Sequence, residues 1–146
     1  MLFEFDRYAA KGNEFLNRLG ENLQSTDRAH TARVLRSTFR VLRNHLTFEE
    51  SLHLLSQLPM VIKAVYVDGW RKGDHKKIKT IDDLLIEIVR EDGENAWKDF
   101  GNKDDILDAV RAVIETMRLY VSAEEMDQAL GTLPHKVQVM LEESDI

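Results

Sequence analysis

The chain has 146 residues, 43% apolar and 32% charged, a balance that suits one folded unit and excludes a disordered tail. It has no cysteine, which excludes disulfides, thiolate zinc sites and cysteine nucleophiles and fits a reducing compartment. The net charge of −6 conceals a split: residues 1–80 carry 14 Lys/Arg against 9 Asp/Glu, and residues 81–146 carry 6 against 17. Either the two halves attract each other or the basic half meets an acidic partner.

The opening Met1-Leu2-Phe3-Glu4-Phe5-Asp6 lacks a basic segment followed by an apolar one, so no signal peptide is expected. A first helix follows, with Phe5, Tyr8, Gly12, Phe15, Leu19 and Leu23 on one face and Gly12 as its weak member. The next apolar stripe is Ala32, Leu35, Phe39, Leu42 and Leu46, spaced 3, 4, 3, 4. One position along runs a basic stripe, Arg33, Arg36, Arg40 and Arg43. Thr47 and Glu50 form a predicted capping box opening a third helix, and Pro59 marks the start of a short fourth one. The longest apolar run, residues 60–67, carries Lys63 and is far too short to span a bilayer, so a cytoplasmic setting without membrane contact is expected. Residues 68–80 read as a basic linker, with Thr80 capping the next helix and Asp82 and Asp83 in its first turn.

The remainder repeats this plan. At an offset of 75 residues, Arg36, Arg43, Glu49, Glu50, Leu55, Leu58 and Pro59 recur as Arg111, Arg118, Glu124, Glu125, Leu130, Leu133 and Pro134. Leu107, Val110, Ile114, Met117 and Val121 restate the second stripe, and Ser122 with Glu125 restates the capping box. The first helix aligns 69 residues apart, Phe15, Leu16 and Leu19 with Leu84, Leu85 and Ile88, so six extra residues fall around Gly93–Gly101. The expected fold is all-α: a bundle of about eight helices made of two pseudo-twofold-related repeats (about 5–67 and 81–143) sharing one core as a single domain over 1–146. A unit of some 50 residues could not bury its apolar face alone.

The run Gln57-Leu58-Pro59-Met60, then Tyr66 and Gly69-Trp70, with Leu133-Pro134 downstream, resembles bacterial domain-of-unknown-function family 2267 over about residues 14–142. The resemblance implies a duplicated, helical, bacterial cytosolic protein and transfers no catalytic residue. Lys72 stands where that family often has proline after the Gly-Trp-Arg stretch.

Three groups of residues could carry function. The Arg stripe together with Trp70, Arg71, Lys72, His75, Lys76, Lys77 and Lys79 could form an anion-binding or interaction surface, since guanidinium groups grip phosphates and carboxylates and an indole offers a stacking face. The competing reading has these arginines flank the core and pair with the acidic half. Glu50-x-x-His53 echoes the Glu-x-x-His element of di-iron bundles. The second copy has Gln128 in place of His53, and Glu50 already serves the capping box, so no metal site is expected. The remaining histidines and the pairs Asp82/Asp83 and Asp104/Asp105 read as structural; His45, opposite Tyr120, looks like drift at a tolerant position. In the insert, Trp97 and Phe100 are expected to plug the bundle rather than face a partner. With no catalytic motif and no cofactor signature, the leading expectation is a protein-interaction module binding a protein partner or itself as a homodimer. Anion or nucleic-acid binding comes second, and a small-molecule enzyme third.

Overall fold

The computed structural model describes residues 4–71 and 77–142. Before the linker come α1 (Phe5–Leu23), α2 (Arg28–His45), α3 (Phe48–Gln57) and α4 (Met60–Val67); after it come α5 (Ile81–Asp92), α6 (Ala96–Asp99), α7 (Lys103–Met117), α8 (Ala123–Leu130) and α9 (His135–Glu142). α6 is a single turn entered through a 3-10 turn at Gly93–Asn95; the other eight make an all-α bundle, and no strand occurs among the described residues.

Hydroxyl, carboxylate and amide caps set the helix starts. Asp27 accepts from the backbone N–H groups of Ala29 and His30, and Thr47, Thr80, Ser122 and Asn102 each accept from the N–H three residues on. The full reciprocal box forms at Asn102 and Asp105. At the two positions expected for it, only the hydroxyl half is present. The N–H of Ser122 is taken instead by Gln57 Oε1 at 2.6 Å, which leaves the Glu125 carboxylate for another use. Gly93 ends α5 with φ +63°, a backbone conformation costly for any side chain bearing a Cβ, and so lets the chain turn into the insert.

One continuous core draws on both halves. α2 and α7 run through its centre. Leu35, Phe39, Leu42 and Leu46 are buried as their stripe requires, although Ala32 is exposed. Val34, Ser37, Thr38 and Val41 are buried too, so α2 is covered on most sides. The packing is crosswise: α1 lies most extensively on α7 and α5 on α2, while α3 meets α8. Phe15 and Leu19 of α1, like Leu84 and Ile88 of α5, have no exposed surface. Phe5, the first member of the α1 stripe, lies outside the core. No helix among the described residues is long and apolar enough to cross a membrane.

Candidate functional site

The arginine stripe points largely inward. Arg33 grips Asp99 of α6 through two forked hydrogen bonds, Nε to Oδ2 at 2.9 Å and Nη2 to Oδ1 at 2.8 Å. Arg40 reaches Glu91 of α5 at 3.3 Å and Asp68 at 3.7 Å. Arg43 is buried and donates from Nη1 to the carbonyls of Tyr66 and Asp68 at 2.8 and 2.6 Å, closing the C-terminal end of α4. Seventy-five positions after Arg36 and Arg43, two arginines reach α9: Arg111 Nε donates to Met140 O at 2.8 Å, and Arg118 Nη2 donates to the Glu142 carboxylate at 3.2 Å. Arg36 is exposed. Trp70 is half-buried, its ring 5.3 Å from that of Phe48 and 5.8 Å from that of Tyr66, so much of its stacking surface is covered. Arg71, Lys77 and Lys79 are exposed, whereas Lys72, His75 and Lys76 lie outside the described residues.

Around Asp99 these contacts become a buried polar cluster between the halves. His30 Nδ1, 2.9 Å from Asp99 Oδ1, must carry the proton that it donates to this carboxylate. Ser37 Oγ donates to Asp92 Oδ1 at 3.2 Å. Burial, and then the neighbouring Asp99, push the Asp92 carboxyl up to about 6. Burial alone would also raise Asp99, but the hydrogen bonds from Arg33, Asp92 and His30 outweigh it and hold Asp99 well below the usual carboxylate range. Between their two pKa values the pair keeps one proton, held on Asp92. Perturbed carboxylates can mark catalytic sites. Here the Asp99 side chain is fully enclosed and anchored by Arg33, so the arrangement is that of a staple.

Two further polar links cross between the halves. His45, buried at the end of α2, bonds to Glu87 of α5. Tyr120, its counterpart after α7, donates to Glu14 of α1 at 2.9 Å. Both residues bridge helices, which corrects the expectation that this position drifts freely.

The insert corrects another. Phe100 is 7% exposed and joins the core, but Trp97 is 77% exposed. The end of α6 explains the division: Asp99, two residues after Trp97, lies on the other side of the turn, and Phe100 has already left the helix in an extended conformation (φ −133°, ψ 132°), so it escapes the i, i+3 relation that would place it on the face of Trp97. Beneath it α5, α6 and the start of α7 enclose an open groove of about 770 Å³, whose apolar walls include Leu85, Val89, Phe100 and Ile106. Ile86, 49% exposed, lines it as well, with Arg90, Asp82 and Lys103 among its polar neighbours.

At the contact of α3 with α8, His53 meets Glu50 of its own helix and Glu125 of the other. This element has no second histidine in the other half and its Glu50 does not close the expected capping box; the packing of α8 on α3 brings in Glu125, the residue 75 positions after Glu50.

A family model described as an uncharacterized conserved protein (DUF2267) matches residues 12–140. No match is found among curated proteins.

Proposed function

We propose that this chain, which belongs to the DUF2267 family, is a protein-interaction module that seats an amphipathic helix of a partner protein in the groove between α5, α6 and α7. The observation that carries this reading is Trp97, an indole 77% exposed beside an open apolar groove. Water-exposed apolar surface of this kind marks binding sites, and tryptophan is over-represented among residues that dominate binding energy. An open trough suits a helix laid along it; a small molecule needs a pocket that encloses most of its surface. Apolar residues at i, i+3 and i+7 of the partner would fill the trough, with Arg90 and the Asp82–Lys103 pair meeting its polar flank.

We also read the two halves as copies of one four-helix unit related by a pseudo-twofold axis within one domain. Support comes from the crosswise packing of α1 on α7 and α5 on α2, and from the matching cap hydroxyls of Thr47 and Ser122. On this reading the insert is where the second copy departs from the first, and the groove is built from that departure.

The charge split supports a partner less directly, because Arg33, Arg40 and His45 already face Asp99, Glu91 and Glu87 within the chain. Those same pairs draw support from the anion-binding reading, which retains Arg36, Arg71, Lys77 and Lys79 at the surface. Co-purification from the native host, comparing the natural chain with Trp97→Ala, tests the proposal. A stoichiometric protein held by the former and lost by the latter supports it. Retention by both chains, or nucleic acid as the common co-purifying species, overturns it. A second copy of the chain in the groove would register as a dimer by light scattering and would leave the module its own partner.

A further inference from the structure

We propose that Glu50, His53 and Glu125 form a site for one divalent transition-metal ion of the zinc class, which ties α3 to α8. The three side chains offer two carboxylate oxygens and an imidazole nitrogen, all within 4.8 Å of one another. His53 Nδ1 lies 3.5 Å from Glu50 Oε2 and 3.4 Å from Glu125 Oε2. Those separations are too long for hydrogen bonds from a protonated imidazole, which close to about 2.7–2.9 Å when they bridge opposite charges. They match the edges of a tetrahedron: ligands about 2.0–2.2 Å from a central zinc lie about 3.3–3.6 Å from each other. Six-coordinate geometry at similar bond lengths would bring neighbouring ligands to about 3 Å.

The donor atoms themselves supply a second, independent observation. Glu50 Oε2, His53 Nδ1 and Glu125 Oε2 are all shielded from water, yet none has a hydrogen-bond partner in the protein. Buried polar atoms are ordinarily paired, and three orphans within 4.8 Å of one another call for a shared occupant. Neither glutamate is held by its helix N-terminus: the Thr47 and Ser122 hydroxyls cap α3 and α8 without a returning carboxylate, and the Ser122 N–H is met by Gln57. Two carboxylates balance a doubly charged cation, and an imidazole selects zinc-like ions over magnesium or calcium. With three protein ligands the ion keeps a fourth position for water. The full site is asymmetric, because Gln128 stands 75 positions after His53.

The test is titration of the full-length, tag-free, chelator-treated chain with Zn²⁺ alone by calorimetry, together with Co²⁺ visible spectroscopy to read the geometry. One ion per chain and intense Co²⁺ bands of four-coordinate type are expected. His53→Ala and Glu125→Gln, each checked for native helicity, should weaken Zn²⁺ binding by more than about 100-fold, a larger loss than removal of an outer-shell partner causes. His135→Ala, at an exposed histidine elsewhere, should bind as the natural chain does. Absence of stoichiometric binding at micromolar Zn²⁺, or binding that survives both His53→Ala and Glu125→Gln, overturns the proposal.

Discussion

Replacing Asp92 by asparagine should stabilise the protein at pH 8, and by a smaller amount at pH 5, where only part of the charge penalty has set in. In the fold the Asp92 carboxyl titrates at about 6 against 3.8 in the unfolded chain, because burial and Asp99 disfavour its charge. The sign follows from linkage: a raised carboxyl contributes stability that is fully present below 3.8 and is lost as pH rises through about 6. Between pH 5 and pH 8 that shift, discounted for partial solvation of the cluster, corresponds to about 1 kcal/mol. A carboxamide mimics the protonated carboxyl at every pH. Its N–H can donate to Asp99, and its oxygen can still accept from Ser37 Oγ. Urea unfolding followed by circular dichroism at both pH values measures the difference. The variant should gain about 1 kcal/mol over the natural chain on going from pH 5 to pH 8, or about 2–4 °C in Tm. A difference of equal size at both pH values, or a loss at pH 8, would refute the assignment of the shared proton.

Other substitutions separate anchoring from binding. Asp99→Ala removes the anion beneath Arg33 and His30 and should cost about 3 kcal/mol in thermal or urea unfolding at neutral pH. Asp99 is the opposite linkage case: its contribution is present above 3.8 and lost as pH falls below it, so the penalty of the variant should shrink in acid. Phe100→Ala should cost about 3 kcal/mol, whereas Trp97→Ala should leave stability within about 0.5 kcal/mol of the natural chain and act on binding alone. Gly12→Ala should destabilise by about 1 kcal/mol although alanine favours helices, because the new Cβ would sit 3.0 Å from Val61 Cβ where α1 meets α4.

Helix number and order were legible in the sequence because the caps and breakers are local. Asp82 and Asp83 lie in the first turn of α5, Pro59 directly precedes α4, and the stripe from Leu107 to Val121 is buried throughout. Periodicity was less informative for α2, whose buried residues lie on several faces and include Arg43, because apolar spacing cannot reveal a polar group that will find carbonyls in the core. The insert misled for a similar reason. Trp97 and Phe100 look alike as aromatics between glycines, and only the placement of Asp99 against Arg33 decides which of them turns inward. The cluster at Glu50, His53 and Glu125 depends on which helices touch. Two of its members sit three residues apart, but the third arrives only through the packing of α8 on α3, a relation that local spacing does not encode.

Photo-crosslinking in the native host tests the interaction groove most directly, with a light-activated phenylalanine analogue at position 97 and, as a control, at position 36. The groove proposal expects one dominant protein adduct from position 97 that position 36 does not give. No adduct at position 97, or the same set of products from both positions, would contradict it.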